Sequence, residues 1–299
     1  MLRTEWTSVG ELRALTWTPD DPMGGVVLVD GSGAGRCDDW GGWAERVAEL
    51  GVVVLAHDRP GCGGSPGDFW TQTPEDRADE SLAALAVLRA RVAGPVGFLG
   101  FSQGGWVGMV AAARPGTEVD FLACVAGPGV GPRAQDRYRI EVDLRAAGLP
   151  EYEVAEALAW VDERAARLSA GEDPESVLAA QRARAGRPWH SVATDHFDTA
   201  GMLAYIARFL PLEPADLLPR VSCPVLALHG GADPLVPAAD SVTAYAAGLP
   251  TLTGLAVFPG ADHGLFMADP VSGVDRTSQL APGFLPMLRG FLHSAGQAG

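Results

Sequence analysis

Ser102 sits in the pentapeptide Gly100-Phe101-Ser102-Gln103-Gly104, the G-x-S-x-G spacing that puts a serine on a sharp turn from strand to helix. Glycine at both ends is a steric requirement. A side chain at 100 or 104 would run into the neighbouring strand and helix, and its absence lets the hydroxyl project. A serine ahead of a helix is also a common N-cap, so the pentapeptide alone leaves two readings open. Asp233, in Gly230-Gly231-Ala232-Asp233-Pro234, and His263, in Pro259-Gly260-Ala261-Asp262-His263-Gly264, bear on the choice, because each follows an apolar run of strand length. Alone, Asp233 reads as a turn aspartate before proline. Taken together, the order nucleophile, acid, histidine, with every member at a strand end, favours a catalytic triad.

In that triad His263 takes the proton of Ser102 during attack on a carbonyl carbon and later returns a proton to the leaving group. Asp233 holds the imidazole tautomer and stabilises the imidazolium. Charge developing on the carbonyl oxygen needs preorganised donors. The backbone N–H of Gln103, next to the nucleophile, is one candidate; the N–H of Ser32, in the loop Asp30-Gly31-Ser32-Gly33-Ala34-Gly35, is the other. The same loop invites a dinucleotide-binding reading, but Arg36 stands where G-x-G-x-x-G needs its last glycine, and His57-Asp58 gives no clear ribose ligand after the next strand. Among the remaining histidines, His57 and His229 end strands and read as satisfied structural residues. His190 and His196 fall in the central segment and His293 near the tail, and of these His196 is kept as a candidate substrate contact.

These residues need a scaffold that brings strand ends together. Short strands are expected at 4–8 and 12–18, then apolar runs at 25–30 and 52–57 on either side of a helix at 39–50. A long helix at 74–91, a strand at 96–101, a helix after Gln103 and a strand at 119–125 continue the alternation, which implies a mainly parallel sheet. From 131 to 219 the chain turns rich in Arg, Glu and Ala, with helices expected at 134–147, 151–169 and 174–185 and no convincing strand. Sheet pattern returns at 224–229 and 253–258, with helices at 238–248 and 282–293. One discontinuous core, 1–130 and 220–299, covered by a helical cap at 131–219, accounts for this more simply than two domains.

Composition removes other functions. With 299 residues, 47% of them hydrophobic, the chain can bury a sizeable core, and its net charge of −15 argues against nucleic acid or an anionic membrane surface as partner. The chain contains no lysine, which excludes a Schiff base, a Ser-Lys dyad and a Walker-type phosphate lysine. Cys37, Cys62, Cys124 and Cys223 have neither zinc nor disulfide spacing, and a reducing cytoplasm is expected. No export signal or membrane span is expected either.

The triad motifs, together with Asp58-Arg59-Pro60-Gly61-Cys62-Gly63-Gly64-Ser65 and the run 218–226 that enters the acid-bearing strand, resemble the α/β-hydrolase superfamily, particularly lidded bacterial serine hydrolases of esterase or serine-aminopeptidase type. The resemblance spans nearly the whole core. It implies an α/β-hydrolase fold, a mainly parallel central sheet flanked by helices with a helical cap inserted after the sixth strand. It also implies that the 58–65 loop buttresses the oxyanion region. The chain departs from the pattern at Asp30-Gly31, where the family often has His-Gly. A carboxylate near the oxyanion would oppose catalysis, so Asp30 is expected to point away or to pair with Arg36 or Arg59.

The expected reaction is hydrolysis of a carboxylic ester, or of an amide or thioester, through an acyl-enzyme, without metal or organic cofactor. The expected partner is a small acyl substrate; a homodimer is left open. Trp160, Trp189, His196, Phe197, Met202 and Tyr205 are the candidate substrate contacts in the cap, with Phe209 beside them, and the alternative is that most of them hold cap helices to the core. The rival function on the same fold is non-hydrolytic: a cyclase, lyase or ligand-binding protein using the same pocket.

Overall fold

The computed structural model describes residues 2–297 apart from 268 and 270. In chain order, β1 (Arg3–Val9), β2 (Leu12–Thr18) and β3 (Gly25–Val29) lead to α1 (Trp43–Ala48) and β4 (Val53–His57). Next come α2 (Pro74–Arg89), β5 (Val96–Phe101), α3 (Gln103–Ala112) and β6 (Leu122–Val125). Six helices follow: α4 (Pro132–Ala146), α5 (Glu151–Ser169), α6 (Pro174–Arg182), α7 (His190–Ala193), α8 (Ala200–Phe209) and α9 (Pro214–Leu217). The chain ends with β7 (Val225–Gly230), α10 (Ala238–Gly248), β8 (Leu252–Phe258) and α11 (Phe284–Gln297).

The eight strands form one sheet in the order β1-β2-β4-β3-β5-β6-β7-β8. β1 and β2 pair antiparallel, β2 joins β4 antiparallel, and every pairing from β4 to β8 is parallel. Side chains alternate across a strand, and the two faces collect different cores. Val27 and Val29 of β3 with Val53 and Leu55 of β4 join one cluster, while Val26, Leu28, Val54 and Ala56 join the other. Burial on both faces is why these runs read as continuously apolar.

Chain direction reverses beside β3. From β3 the chain moves outward to β4, then crosses back to β5 and proceeds through β6 and β7 to β8. A crevice therefore opens at the carboxyl ends of β3 and β5, the topological switch point where open α/β sheets hold their ligands. The loop beginning at Asp30 leaves β3 there, and Ser102 leaves β5.

The helices α4 to α8 enclose a third apolar cluster of their own, built on Ile140, Leu144, Val154, Trp160, Trp189 and Leu203 among others. Prolines at the first positions of α4 and α6 and the Thr199 side chain at the start of α8 set their beginnings. Three short pieces, α7, α8 and α9, were not separable in the sequence.

Several boundaries differ from expectation. The helix expected at 39–50 is confined to α1, because Gly41 (φ 53°) and Gly42 (φ 87°) take the left-handed conformation and break the helical run. The strand expected at 119–125 is trimmed to β6, although Phe121 still accepts a backbone bond from Phe98 at 3.1 Å. Among the described residues, no helix is long and apolar enough to cross a membrane.

Candidate active site

Ser102 adopts φ 54°, ψ −122°, a backbone conformation that only glycine enters easily. Such strain costs about 1–3 kcal/mol and persists where the surroundings enforce it. Here they do. A Cβ at Gly100 would collide with the backbone of Gly104, and one at Gly104 would collide with the carbonyl of Val29. The turn from β5 into α3 is thereby pressed against β3, and Ser102 N–H is tied to Val125 O at 2.9 Å.

His263 follows β8 and Asp233 follows β7. His263 Nδ1 lies 2.8 Å from Asp233 Oδ2, and the Asp233 side chain is 1% exposed. The other carboxylate oxygen, Oδ1, accepts from the N–H groups of Leu235 at 2.8 Å and Val236 at 3.0 Å. Both oxygens are satisfied, so the buried acid is fixed in one orientation. The imidazole packs beside the residue preceding the serine, its ring 5.3 Å from that of Phe101. The hydroxyl of Ser102 has no hydrogen-bond partner among the described residues; in unliganded sites such contacts are commonly loose and tighten on binding.

The N–H of Gln103, at the first turn of α3, and the N–H of Ser32 have no acceptor among the described residues. Ser32, Gly33, Ser102 and Gln103 line one cavity of about 400 Å³. Asp30 turns from this space to a partner that sequence reasoning missed. Arg77 of α2 lies 2.5 Å from the Asp30 carboxylate, donates to Asp30 O at 2.8 Å and reaches Gln103 Oε1 at 2.6 Å. The expected partners are corrected: Arg36 binds Asp38 at 2.9 Å, and Arg59 donates to Gly33 O and to Gln72 Oε1. Arg36 extends into solvent, whereas Arg77 is buried on the apolar stripe of α2, with Ala78, Ser81 and Leu85. Burial lowers the pKa of Arg77 from its ordinary value, and the Asp30 carboxylate opposes that shift. A guanidinium at a core position of an amphipathic helix was the available signal.

The 58–65 loop lies behind the same region. Asp58, fully buried, accepts from Cys37 N–H at 2.8 Å and from Ser65 Oγ at 2.9 Å. Arg59 then braces the Gly33 carbonyl from the next position.

From the helical segment, His196, Phe197, Met202, Tyr205 and Phe209 all reach the cavity wall. Trp160 and Trp189 do not. They are 2% and 1% exposed, inside the third apolar cluster, and the guanidinium of Arg184 stacks 3.9 Å over Trp160. Their size suits the interior of that helical layer, which is where they pack. Tyr205 also donates to Gln103 Oε1 at 2.9 Å. Two more contacts missed in the sequence join α4 to the acid loop: Tyr138 donates to Asp233 O at 3.0 Å and Gln135 to Leu235 O at 2.6 Å.

His57 is satisfied, its Nδ1 2.9 Å from Asp58 O. His229 corrects expectation: it is fully buried, and neither ring nitrogen has a hydrogen-bond partner among the described residues. Burial pulls its pKa down to about 4, with the charge of Asp233 opposing. Its ring is 5.8 Å from that of Tyr245. No cluster of three or more metal-ligating side chains occurs among the described residues.

The chain is similar to a non-heme chloroperoxidase of Streptomyces lividans, 29% identical over 246 residues, 78% of this chain and 83% of that protein. Its fold is similar to that of a proline iminopeptidase of Mycobacterium smegmatis, with TM-score 0.57, 22% identity and 99% of each chain covered. It is likewise similar to a 2-hydroxy-6-oxo-6-phenylhexa-2,4-dienoate hydrolase of a Rhodococcus species, with TM-score 0.57, 19% identity, and 98% of this chain and 99% of that one covered. The model of the alpha/beta hydrolase family matches residues 26–276. With the serine at the β5 turn, the acid and histidine after β7 and β8, and that match across most of its length, the chain belongs to the alpha/beta hydrolase family.

Proposed function

We propose that the protein is a serine hydrolase that cleaves a small carboxylic ester, or an amide or thioester, through an acyl-enzyme on Ser102. The observation that carries the reading is the 2.8 Å contact between His263 Nδ1 and the buried carboxylate of Asp233, next to a serine held at φ 54° on the β5–α3 turn. Asp233 keeps the imidazole proton on Nδ1, which leaves Nε2 free to take the hydroxyl proton as Ser102 attacks. The tetrahedral oxyanion is received by the N–H groups of Gln103 and Ser32, which lie on the wall of the same cavity as the serine. Protonated His263 then gives its proton to the departing alcohol, and water repeats the sequence to release the acid. Residues 131–219 act as a cap over the core formed by 1–130 and 220–299, and bound substrate lies between the two.

Labelling with a fluorophosphonate and turnover of a short aryl ester, in wild type and Ser102→Ala side by side, test this. Both signals are expected in wild type and neither in the variant. A folded wild-type protein that is not labelled and does not turn over would overturn the hydrolase reading.

A further inference from the structure

Much of the cavity wall over Ser102 is apolar, with Trp106, Val161, Phe209 and Leu210 contributing, yet three arginines also line it: Arg133 and Arg139 of α4 and Arg164 of α5. Asp136 is the acidic residue of that lining. It is engaged on both oxygens, by Arg164 Nη2 at 2.8 Å and by Arg139 Nη2 at 3.2 Å. A cationic substrate would have to displace those partners and then face the guanidiniums it displaced. Arg164, its side chain 3% exposed, is further held by Gln181 and the Ala193 carbonyl and stacks 4.1 Å from the Phe197 ring centroid. It is a fixed background charge. Arg139 shares its other branch with Asp143 at 3.1 Å. Among the described residues Arg133 meets Asp162 at 3.5 Å, at both its carbonyl and its carboxylate, and Arg137 approaches that carboxylate more closely, at 3.3 Å.

The lining thus carries three positive charges against one negative, in a space where apolar walls strengthen electrostatic interactions. Guanidinium matches carboxylate by paired, charge-assisted hydrogen bonds. We infer that the substrate carries a carboxylate on the part held against α4, received by Arg133 and Arg139, so that the ester cleaved at Ser102 is the half-ester of a short dicarboxylic acid or an equivalent anionic ester. The reaction part of this rests on the Ser102 reading; the binding part does not. A cavity of about 400 Å³ is near the small end of ligand pockets, which keeps the substrate short. Hydrolysis would add one water across the ester bond and release the dicarboxylate and an alcohol.

Two measurements separate the parts. The first is calorimetric titration of Ser102→Ala with glutarate and with adipate. Saturable binding is expected for at least one of them, weakened about ten-fold or more when Arg133→Gln and Arg139→Gln are added, the factor that one charge-assisted hydrogen bond supplies. Arg133 is half exposed, so Arg133→Gln alone gives a variant whose folding is not at stake, and its partial loss should point the same way. The second is turnover of the 4-nitrophenyl half-esters of glutarate and adipate against 4-nitrophenyl valerate and hexanoate. Wild type should favour the charged ester of at least one chain length by about ten-fold in kcat/KM, and Arg133→Gln should bring that ratio toward one. Turnover of neutral esters with no preference at either length, and no dicarboxylate binding, would overturn the carboxylate inference and leave the hydrolase standing. Arginine-dependent dicarboxylate binding without turnover of any ester would do the reverse.

Discussion

The Arg77 guanidinium lies 2.5 Å from the Asp30 carboxylate and, through its other branch, 2.6 Å from Gln103 Oε1. One buried cation thus neutralises the acid at the start of the loop after β3 and steadies Gln103, whose N–H is a proposed oxyanion donor. Arg77→Met leaves Asp30 without its partner and is expected to cost about 3 kcal/mol in urea denaturation, the lower end for breaking a buried pair, because Asp30 keeps 26% of its side chain exposed. The double variant Asp30→Asn/Arg77→Met should recover part of that loss, since contacting residues couple.

Asp233→Asn should silence the enzyme while leaving its fold intact. The N–H groups of Leu235 and Val236 hold an oxygen at the Oδ1 position, so the amide nitrogen of asparagine falls opposite His263 Nδ1. The imidazole must then accept there and carry its proton on Nε2, the tautomer that cannot take the serine proton. A fall of about 10⁴-fold in kcat is expected, with KM changed far less, in steady-state assays on an aryl ester.

Tyr138→Phe removes the hydroxyl that donates to Asp233 O. The Tyr138 pKa is raised by burial and then by the charge of Asp233, so the hydroxyl remains a donor through neutral pH. The variant should lose about 1 kcal/mol of stability. A fall of roughly ten-fold in kcat is expected as well, as Asp233 and then His263 lose alignment.

His229 makes stability depend on pH in a window where most side chains do not titrate. Its folded pKa, about 4, lies below the ordinary 6.5, so between those values the unfolded chain binds a proton that the folded protein does not. Stability is therefore fully present above 6.5 and is lost as pH falls toward 4. The loss amounts to about 3 kcal/mol. The denaturation midpoint of wild type should fall relative to that of His229→Leu as pH falls across this window, because the leucine variant lacks this proton uptake.

Ser102→Gly and Ser102→Ala should differ in stability although both are inactive. Glycine relaxes at φ 54° and alanine does not, so Ser102→Gly is expected to be the more stable by about 1 kcal/mol. In a chain of this size that is roughly 1–2 °C in Tm, readable by calorimetry.

The sheet, and the placement of Ser102, Asp233 and His263 at strand ends, were legible in the sequence because local signals mark them. Buried parallel strands read as uninterrupted Val and Leu runs, and glycine spacing around Ser102 records how closely the turn meets β3. Long-range partnerships left weaker traces. The pairing of Asp30 with Arg77 joins residues 47 positions apart, and the clue was one charged residue on the mostly apolar buried face of α2. Trp160 and Trp189 misled because aromatic residues in the helical segment suit a pocket roof and a helical interior equally. Trp160 falls on the buried face of α5, beside Ala157 and Val161, and Trp189 is placed by the turn before α7. Tyr138 and Gln135 were invisible, since polar residues on an Arg-rich helix read as solvent-facing until the acid loop is seen beneath them.

Tyr138 and Gln135 fasten α4 to the loop bearing Asp233 and its neighbours, and Tyr205 fastens α8 to Gln103 beside the nucleophile. These three hydrogen bonds fasten the helical segment 131–219 to the loop of Asp233 and to the turn after Ser102. A chimaera made by replacing the helical segment between β6 and β7 would also cut these three tethers to the residues beneath it. Such grafts should keep tyrosine at 138 and 205 and glutamine at 135 as fixed anchor points, and redraw only the surface between them.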